Sequence, residues 1–307
     1  MIRRQHGVAL ITALLITAIA TIAAVAMASR QQIDIRRTGN IIDIDRADMF
    51  ALGAEEWARQ VLRRDRKDNQ TDNTEEDWAT VLPPLSVEGG VVAGKIDDMQ
   101  GLFNVNNLVN NGAPSTVDRQ IFERLLQNLD INVDIIDAVI DWIDTDDRQT
   151  FPNGAEDTEY LQLDVPYRTH NGPLASPSEL ALVKGLSYED YTKIAPYICT
   201  LPERTTVNIN TAPAQVLMAV VEGLSESEAD QIIEDRTQEP FTDVNSFMAH
   251  NLVKDKTVNQ NSIGVASSYF MINAAAEFDQ GRISMYSLVY RNPNADVEVI
   301  MRAQGVY

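Results

Sequence analysis

The residues of this chain with the clearest chemical potential lie in an acidic segment, residues 141–164. This segment contains eight carboxylates and one basic residue, Arg148. Carboxylates at this density repel one another unless solvent or a cation relieves the repulsion. Because the segment offers oxygen atoms and has no histidine or cysteine, the ion that it favours is Ca²⁺, which takes about six to eight oxygen ligands.

Four of these carboxylates are the candidate ligands, because the turn at 151–154 can bring two pairs of them together. They are Asp144, Asp146, Glu156 and Asp157, and backbone carbonyl groups would complete the shell. The ion would have a structural role, holding a long loop of low apolar content in shape. A solvated acidic loop without an ion is the alternative.

The rest of the sequence makes no positive case for catalysis, and we predict that the protein is not an enzyme. The three histidines, His6, His170 and His250, are far apart, and Cys199 is the only cysteine. The chain has no GxSxG, HExxH or Walker-type motif. Its net charge of −20 repels phosphate backbones and favours cationic partners or divalent metals, although solubility alone could explain it.

The elements that position these residues begin with an uncharged apolar stretch, Val8–Ser29. As a helix it would be about 33 Å long, close to the ~30 Å apolar thickness of a bilayer. Arg3 and Arg4 precede it and place the N-terminus in the cytoplasm. Two interpretations compete: a secretory signal cut after Ala28, or a type IV prepilin-like signal cut after Gly7, which leaves the helix on the mature protein.

The continuation of the helix favours the second interpretation. Residues 31–66 contain no proline, and their apolar residues recur at spacings of three, four or seven. These residues are Ile35, Ile42, Met49, Phe50, Trp57 and Val61. A discarded signal would need no such amphipathic extension. We expect the large apolar residues to pack on the protein's own head, with a partner's helix as the alternative, and the "LPPL" at 82–85 to end the helix.

The remaining pattern predicts an α+β fold. Residues 87–106 predict one or two strands, and residues 268–278, 282–291 and 297–305 predict a three-stranded antiparallel meander. Between them, residues 109–264 are mainly helical in pattern. Strands, a long helical block and strands again indicate a helical domain inserted into a head that contains an antiparallel sheet.

Several stretches, in their order and spacing, resemble one known family across nearly the whole chain. They are "GVALITALLITAI", "ALGAEEWARQVL", "DDMQGLFNVNNLV", "AVIDWIDTDD", "NGAEDTEY", "TVNINTAPAQVL" and the strand-rich end. The family is the minor pseudopilin K of type II secretion systems, a type IV pilin-like subunit. The resemblance implies a pilin-like long N-terminal helix plus an antiparallel sheet, with a large helical domain inserted into the pilin head.

The element pattern and the resemblance together divide the chain into six parts. They are a prepilin leader at residues 1–7, a transmembrane half-helix at 8–29, an amphipathic stalk helix at 30–66, the first part of the head at 67–108, the inserted domain at 109–264 and the C-terminal strands at 265–307. The resemblance implies a single-pass inner-membrane protein whose C-terminal domain lies in the periplasm. Calcium binding in the acidic loop is implied as well.

The resemblance also implies how the protein is processed and what it assembles with. Prepilin peptidase would cut between Gly7 and Val8 and methylate Val8. The fifth mature residue of pilins is usually glutamate, and here it is Thr12, which fits a subunit at the end of the filament; a tolerated substitution is the alternative. The implied partners are minor pseudopilins I and J, other pseudopilus subunits and the inner membrane, with secreted substrates or the outer-membrane channel as further contacts of the tip.

A rival function comes from residues 207–248, which resemble a helix-hairpin-helix segment of competence-type DNA receptors. A membrane anchor in front of such a segment would suit a DNA-binding protein. However, the turn at Gly223 is flanked by acidic residues, and residues 207–235 contain no lysine or arginine to neutralise phosphate. We therefore predict that the protein has no nucleic-acid partner.

Overall fold

A computed structural model describes residues 6–81 and 83–305. Its helices are α1 His6–Asp68, α2 Thr116–Asn128, α3 Ile135–Ile143, α4 Asp157–Tyr160, α5 Tyr188–Ile194, α6 Ala214–Val220, α7 Glu226–Gln238 and α8 Val244–Met248. Its strands are β1 Leu85–Val87, β2 Gly90–Asp98, β3 Phe103–Asn104, β4 Val109–Asn110, β5 Ala113–Pro114, β6 Ile198–Cys199, β7 Val207–Asn208, β8 Val221–Glu222, β9 Thr257–Val258, β10 Ile263–Gly264, β11 Tyr269–Phe278, β12 Gly281–Arg291 and β13 Val297–Gln304. Most of the predicted leader, residues 1–5, lies outside the described residues.

The head is built on an antiparallel five-stranded sheet in the order β1-β2-β11-β12-β13. The last three strands are consecutive in the chain and form the predicted meander. Strand β2 lies beside β11, with Asp98 opposite Phe270. Because β2 and β11 are neighbours in space, the chain between them leaves and re-enters the sheet at the same place, and residues 99–268 form the inserted region.

The inserted region has a hydrophobic core of its own, separate from the sheet. Phe103, Phe122, Trp142, Leu217 and Phe247 belong to it, and all five are buried. Side-chain caps set several of its helix starts: Ser225, for example, caps α7 in a capping box with Glu228. Residues 176–185 contain only a short 3₁₀ turn, Pro177–Leu182, which Ser176 caps.

Helix α1 contacts β11 and β12 of the sheet through a narrow stripe of mostly small residues. The stripe consists of Ala47, Ala51, Glu55, Ala58 and Leu62, all buried and spaced by three or four residues. Alanine lets the helix backbone approach the sheet closely. The approach is closest at Gly281, where a Cβ atom would lie 2.5 Å from the carbonyl carbon of Asp43.

Two expectations about the stalk are wrong. Helix α1 ends at Asp68 rather than at the "LPPL" segment, because Asn69, Asn73 and Glu76 form a hydrogen-bonded turn directly after it. Most of the large apolar residues lie outside the core: Met49 is 70% exposed and Trp57 is 54% exposed, whereas Val61 is partly buried and packs beside Leu62. The alanine stripe takes the place against the sheet because its side chains are small enough to fit there.

One charged residue, Glu55, lies within the buried stripe of α1 that contacts the sheet. Glu55 accepts two hydrogen bonds from Arg302 of β13, both of 2.8 Å, and one from the Ser287 hydroxyl of β12. Burial alone would raise the pKa of Glu55, but the hydrogen bonds and the positive charge of Arg302 outweigh burial and hold the pKa below its ordinary value. The pair therefore stabilises the helix on the sheet as long as Glu55 is ionised.

This pair gives the Arg302→Met variant a pH-dependent stability. The substitution removes the charge of Arg302 and leaves a buried, ionised Glu55 without a counter-charge. We therefore expect the variant to be destabilised by about 2 kcal/mol at pH 7. In the wild type the contribution of Glu55 is present above its unfolded pKa and is lost as pH falls through the lowered folded pKa. The difference between the two proteins should therefore shrink towards pH 4 in chemical unfolding of the detergent-solubilised chain.

The matched control is Arg64→Met, since Arg64 is an exposed arginine on α1, the helix that carries Glu55. It should unfold like the wild type at both pH values. A destabilisation of Arg302→Met that did not change with pH would contradict the role assigned to Glu55.

Candidate calcium site and membrane anchor

The acidic segment is organised by helix α3, which carries aspartates at three-to-four-residue spacing. Asp137 and Asp141 therefore lie on one side of the helix, and Asp144 directly follows its last residue, Ile143, as the C-cap. Asp141 accepts the backbone N–H of Thr150 at 2.9 Å, and Asp137 accepts that of Asn153 at 3.1 Å. These two aspartates fold the loop back onto the helix that precedes it.

Gly154 is required for this fold-back. A Cβ atom at Gly154 would lie 2.2 Å from Asp141 Oδ2 and 2.5 Å from the Thr150 carbonyl oxygen. The loop thus closes tightly and brings Glu156, at its end, near Asp144, at its beginning. Of the candidate ligands on the two sides of the turn, Glu156 lies close enough to Asp144 for the charge of Asp144 to raise the pKa of Glu156.

Asp144 and Glu156 are both buried and lack compensating partners. Within the described residues, Asp144 Oδ1 and both carboxylate oxygens of Glu156 have no hydrogen-bond partner. Burial, followed by repulsion from neighbouring aspartates, raises the pKa of Asp144 to about 6 and that of Glu156 to about 7. Oxygen atoms of this kind, buried and unpaired, suit a divalent cation, so the residues present fit the expected ion.

The other two candidate ligands lie differently. Asp146 is exposed, and one of its oxygens accepts the backbone N–H of Arg148 at 2.8 Å. Both oxygens of Asp157 are occupied, one by Arg168 at 2.9 Å and the other by the N–H and hydroxyl of Thr169 at 3.0 Å. Asp157 is therefore engaged away from the pair formed by Asp144 and Glu156, and within the described residues no three of the candidate ligands have carboxylate oxygens within 4.8 Å of one another.

Sequence reasoning missed the residues that shape this site, Asp137 and Asp141. Both are buried, and burial raises the pKa of Asp141 despite the hydrogen bonds that it accepts. The signal that could have found them is their four-residue spacing on α3, which places both carboxylates on one side of the helix that leads into the loop.

A second cluster of carboxylate side chains lies where α1 ends. Asp65, Asp72 and Glu76 have carboxylate oxygens within 4.8 Å of one another. Burial, together with the charges of the other two, raises the pKa of Glu76 to about 7. These carboxylates already have partners: Arg291 bonds Asp65 and Asp72, and the Trp78 indole N–H donates to Glu76 at 2.6 Å. The group is a structural ion-pair cluster.

The candidate membrane anchor is the first part of α1. Residues 8–29 are exposed throughout, and an 18-residue window of α1 has a mean hydropathy of 2.6, so the helix is long and apolar enough to cross a membrane. Gly7 and Val8 both lie within the helix. The Thr12 hydroxyl donates to the carbonyl oxygens of Val8 at 3.1 Å and Ala9 at 3.0 Å. The hydroxyl group of Thr12 therefore has its hydrogen-bond acceptors within its own helix.

The helix-hairpin-helix-like segment presents an acidic turn. Gly223 has φ of +76°, and its carbonyl oxygen accepts Lys256 Nζ at 2.6 Å. The same Lys256 pairs with Glu228 at 3.0 Å. Arg236, which follows the segment without basic residues, is buried and donates to the Ile209 carbonyl oxygen. Both cations are thus engaged within the protein.

An apolar helix of membrane-spanning length that continues as a stalk and packs on an antiparallel sheet defines a pilin-like subunit. Two models of the family described as "Type II secretion system (T2SS), protein K" match residues 101–203 and 207–266. The chain is 33% identical to the type II secretion system protein K of Pseudomonas aeruginosa, over 99% of this chain and 94% of that protein. It is 32% identical to the Klebsiella pneumoniae protein K, over 100% of this chain and 98% of that protein.

A solved structure shares the architecture. In the crystal structure described as the GspK-GspI-GspJ complex of enterotoxigenic Escherichia coli, the matching chain has a TM-score of 0.78 and 27% identity, covering 88% of this chain and 100% of that one. The chain belongs to the protein K family of type II secretion systems. Its function is that of a minor pseudopilin, and the competence-type DNA receptor is not the function that these comparisons support.

Proposed function

We propose that this subunit occupies the tip of the type II secretion pseudopilus, where it ends or initiates the filament with minor pseudopilins I and J. The proposal rests on one observation: residues 99–268 connect two strands, β2 and β11, that are direct neighbours in the sheet. A domain with its own core stands there in place of a short turn. It makes the head too wide for another pilin-like subunit to stack above it.

The similarity to a chain from the GspK-GspI-GspJ complex supports the choice of partners. We propose that the apolar part of α1 anchors the subunit in the inner membrane, with the head in the periplasm, until assembly. Prepilin peptidase cuts between Gly7 and Val8 and methylates Val8. A glutamate at position 12 would need a partner, whereas the Thr12 hydroxyl is satisfied by its own helix, and this suits a subunit with none above it.

The position of the cut can be tested with two matched variants. Gly7→Leu should leave the precursor uncut, because a bulky side chain at the cleaved bond would not fit the peptidase. Ala28→Leu should be processed like the wild type, because it alters only the alternative cut after Ala28. Mass measurement of the protein recovered from membranes should show wild-type and Ala28→Leu chains that begin at Val8. A wild-type chain that began at Ser29 would refute the pilin-like assignment.

The tip position can be tested by labelling. Pseudopili that contain an epitope-tagged copy of this chain should bind gold-labelled antibody at one end only, because the inserted domain blocks further stacking. A tagged major pseudopilin in the same filaments is the control and should be labelled along the whole length. Lateral labelling of this subunit would contradict its placement at the tip.

We also propose that the acidic loop binds a structural Ca²⁺ ion. Asp144 and Glu156 would be its central ligands, with Asp146 at the exposed side of the site. The unpaired, buried oxygens of Asp144 and Glu156 support this proposal, because leaving them without a partner is costly. The residues that hold the loop without the ion are Asp137 and Asp141. The ion would supply the positive charge that this part of the loop lacks.

Calcium should raise the thermal stability of the full chain. With Ca²⁺ about 100-fold above its Kd, we expect the Tm to be about 5–10 °C higher than in chelator. Glu156→Gln should abolish this shift. In chelator, however, it should be at least as stable as the wild type, because it removes a buried, unpaired charge.

Glu159→Gln is the control for the calcium experiment. Glu159 lies in the same acidic segment but is half-exposed and pairs with Lys184 at 3.0 Å. This variant should keep the full calcium shift. A wild-type Tm that does not respond to Ca²⁺, together with no uptake in isothermal titration, would mean that the loop is held by its hydrogen bonds alone.

A further inference from the structure

The exposed apolar side chains of the inserted region are confined to one part of it. Within residues 99–268, all of which the structure describes, six large apolar residues are exposed to solvent: Phe151, Leu161, Leu163, Val165, Leu182 and Tyr188. All six lie between residues 144 and 190, which we call the exposed lobe, whereas helices α6 to α8 expose none. Apolar residues scattered singly over a surface are ordinary, but a group concentrated on one part of it is typical of an interaction site.

Two tyrosines hold the centre of the exposed lobe in one geometry. Tyr160 and Tyr167 both pack against Trp142 of α3, with ring centroids 5.3 and 6.2 Å from the indole. The Tyr167 hydroxyl donates to the Leu182 carbonyl oxygen at 2.7 Å, and the Tyr160 hydroxyl accepts the Lys184 N–H at 3.2 Å. The residues between the two tyrosines, which include three of the exposed apolar residues, are therefore fixed at both ends, with Leu182 beside them.

The charge of the exposed lobe indicates the kind of partner that it fits. The lobe contains ten acidic residues and three basic ones. Two of the basic side chains are paired within the lobe, Arg168 with Asp157 and Lys184 with Glu159. Asp164, which stands between two of the exposed apolar residues, is exposed and has no ion pair or hydrogen bond within the described residues. Such a surface is complementary to an apolar surface flanked by lysine and arginine, and it repels anionic lipid, nucleic acid and a second copy of itself.

The fixed geometry of the exposed lobe favours a partner of constant shape. Surfaces that accept many different partners are typically flexible or rich in methionine. The lobe has no methionine, and its centre is held by the aromatic packing and hydrogen bonds of Tyr160 and Tyr167. A preorganised surface of this kind binds one complementary shape at a low cost in ordering.

We propose that the exposed lobe docks one constant protein component of the secretion apparatus, outside the pseudopilus, which offers an apolar surface flanked by lysine and arginine. Leu163 and Val165 supply the apolar contact, and Asp164 between them pairs with a cation of the partner. The inference rests on the proposed function, because a subunit at the tip leaves its inserted domain open to components beyond the filament. A secreted protein in transit is the other occupant that the experiment must distinguish.

A photo-cross-linking amino acid in place of Val165 identifies the occupant in cells that contain the complete secretion apparatus. Val81 of the head is the matched control position, since it is 72% exposed and Val165 is 77% exposed. Cross-linking is carried out without a secreted substrate and with each of two different substrates. We expect position 165, but not position 81, to give a cross-link to the same protein in all three conditions. Mass spectrometry should place a lysine or arginine beside the attachment point.

The other outcomes of this experiment overturn the inference. A partner that changes with the substrate would mean that the exposed lobe binds secreted proteins. Cross-links to minor pseudopilin I or J, to lipid or to no protein at all would contradict a constant partner outside the filament. Co-purification of the detergent-solubilised wild type with minor pseudopilins I and J keeps the two proposals apart, because its absence would refute the proposed function, whatever the lobe contacts.

Two substitutions of Asp164 test the role of charge. With the cross-linker at position 165, Asp164→Lys should lower the yield of the cross-link at least about tenfold, because it replaces attraction by repulsion, and Asp164→Asn should lower it less. Both variants should keep the Tm of the full chain and its co-purification with minor pseudopilins I and J, because Asp164 is exposed and unpaired within the described residues. An Asp164→Lys variant that cross-links as well as the wild type would overturn the docking by charge.

Discussion

A buried guanidinium, that of Arg291 at the end of β12, is the contact on which the arrangement of the whole head depends. Arg291 forms ion pairs with Asp65, in the last turn of α1, and with Asp72, in the loop after the helix. It also donates to the carbonyl oxygens of Leu62 and Ser267. Stalk, sheet and the return from the inserted domain therefore meet at one side chain, and a buried charge left unpaired costs several kcal/mol.

The same junction extends to the start of the inserted domain. Asp98, at the end of β2, accepts hydrogen bonds from Thr211 at 2.6 Å, Ser267 at 2.7 Å and Asn208 at 3.0 Å. Burial still raises the pKa of Asp98 above its ordinary value, because it outweighs these bonds. A network that is so fully satisfied specifies one geometry. The inserted domain is consequently positioned relative to the stalk, as a domain that blocks further stacking must be.

The carboxylates of this acidic protein thus serve in two different ways. Asp65 and Asp72 are compensated by the fixed charge of Arg291 and hold the fold together. Asp144 and Glu156 have no such partner, and their raised pKa values record the cost of keeping them buried. The first arrangement is complete within the chain, whereas the second is suited to a ligand from outside it.

The sequence by itself determined the apolar span at the start of α1, the C-terminal meander and the helical insertion. These features follow from local patterns: an uncharged run from Val8 to Ser29, helical periodicity and strand alternation. Only the tertiary structure decided which face of the stalk is buried. Size complementarity favoured Ala47, Ala51 and Ala58 over the larger Met49 and Trp57, and hydropathy does not encode that preference.

The acidic loop shows the same division. Its composition indicated a cation site, but not that Arg168 and Thr169 would occupy Asp157 or that Asp137 and Asp141 would shape the loop. Each of these contacts joins residues that are 9 to 16 positions apart in the chain. Such contacts depend on how the loop closes on α3, so residue type and spacing could suggest a candidate site, whereas only the folded chain decides which carboxylates are already paired.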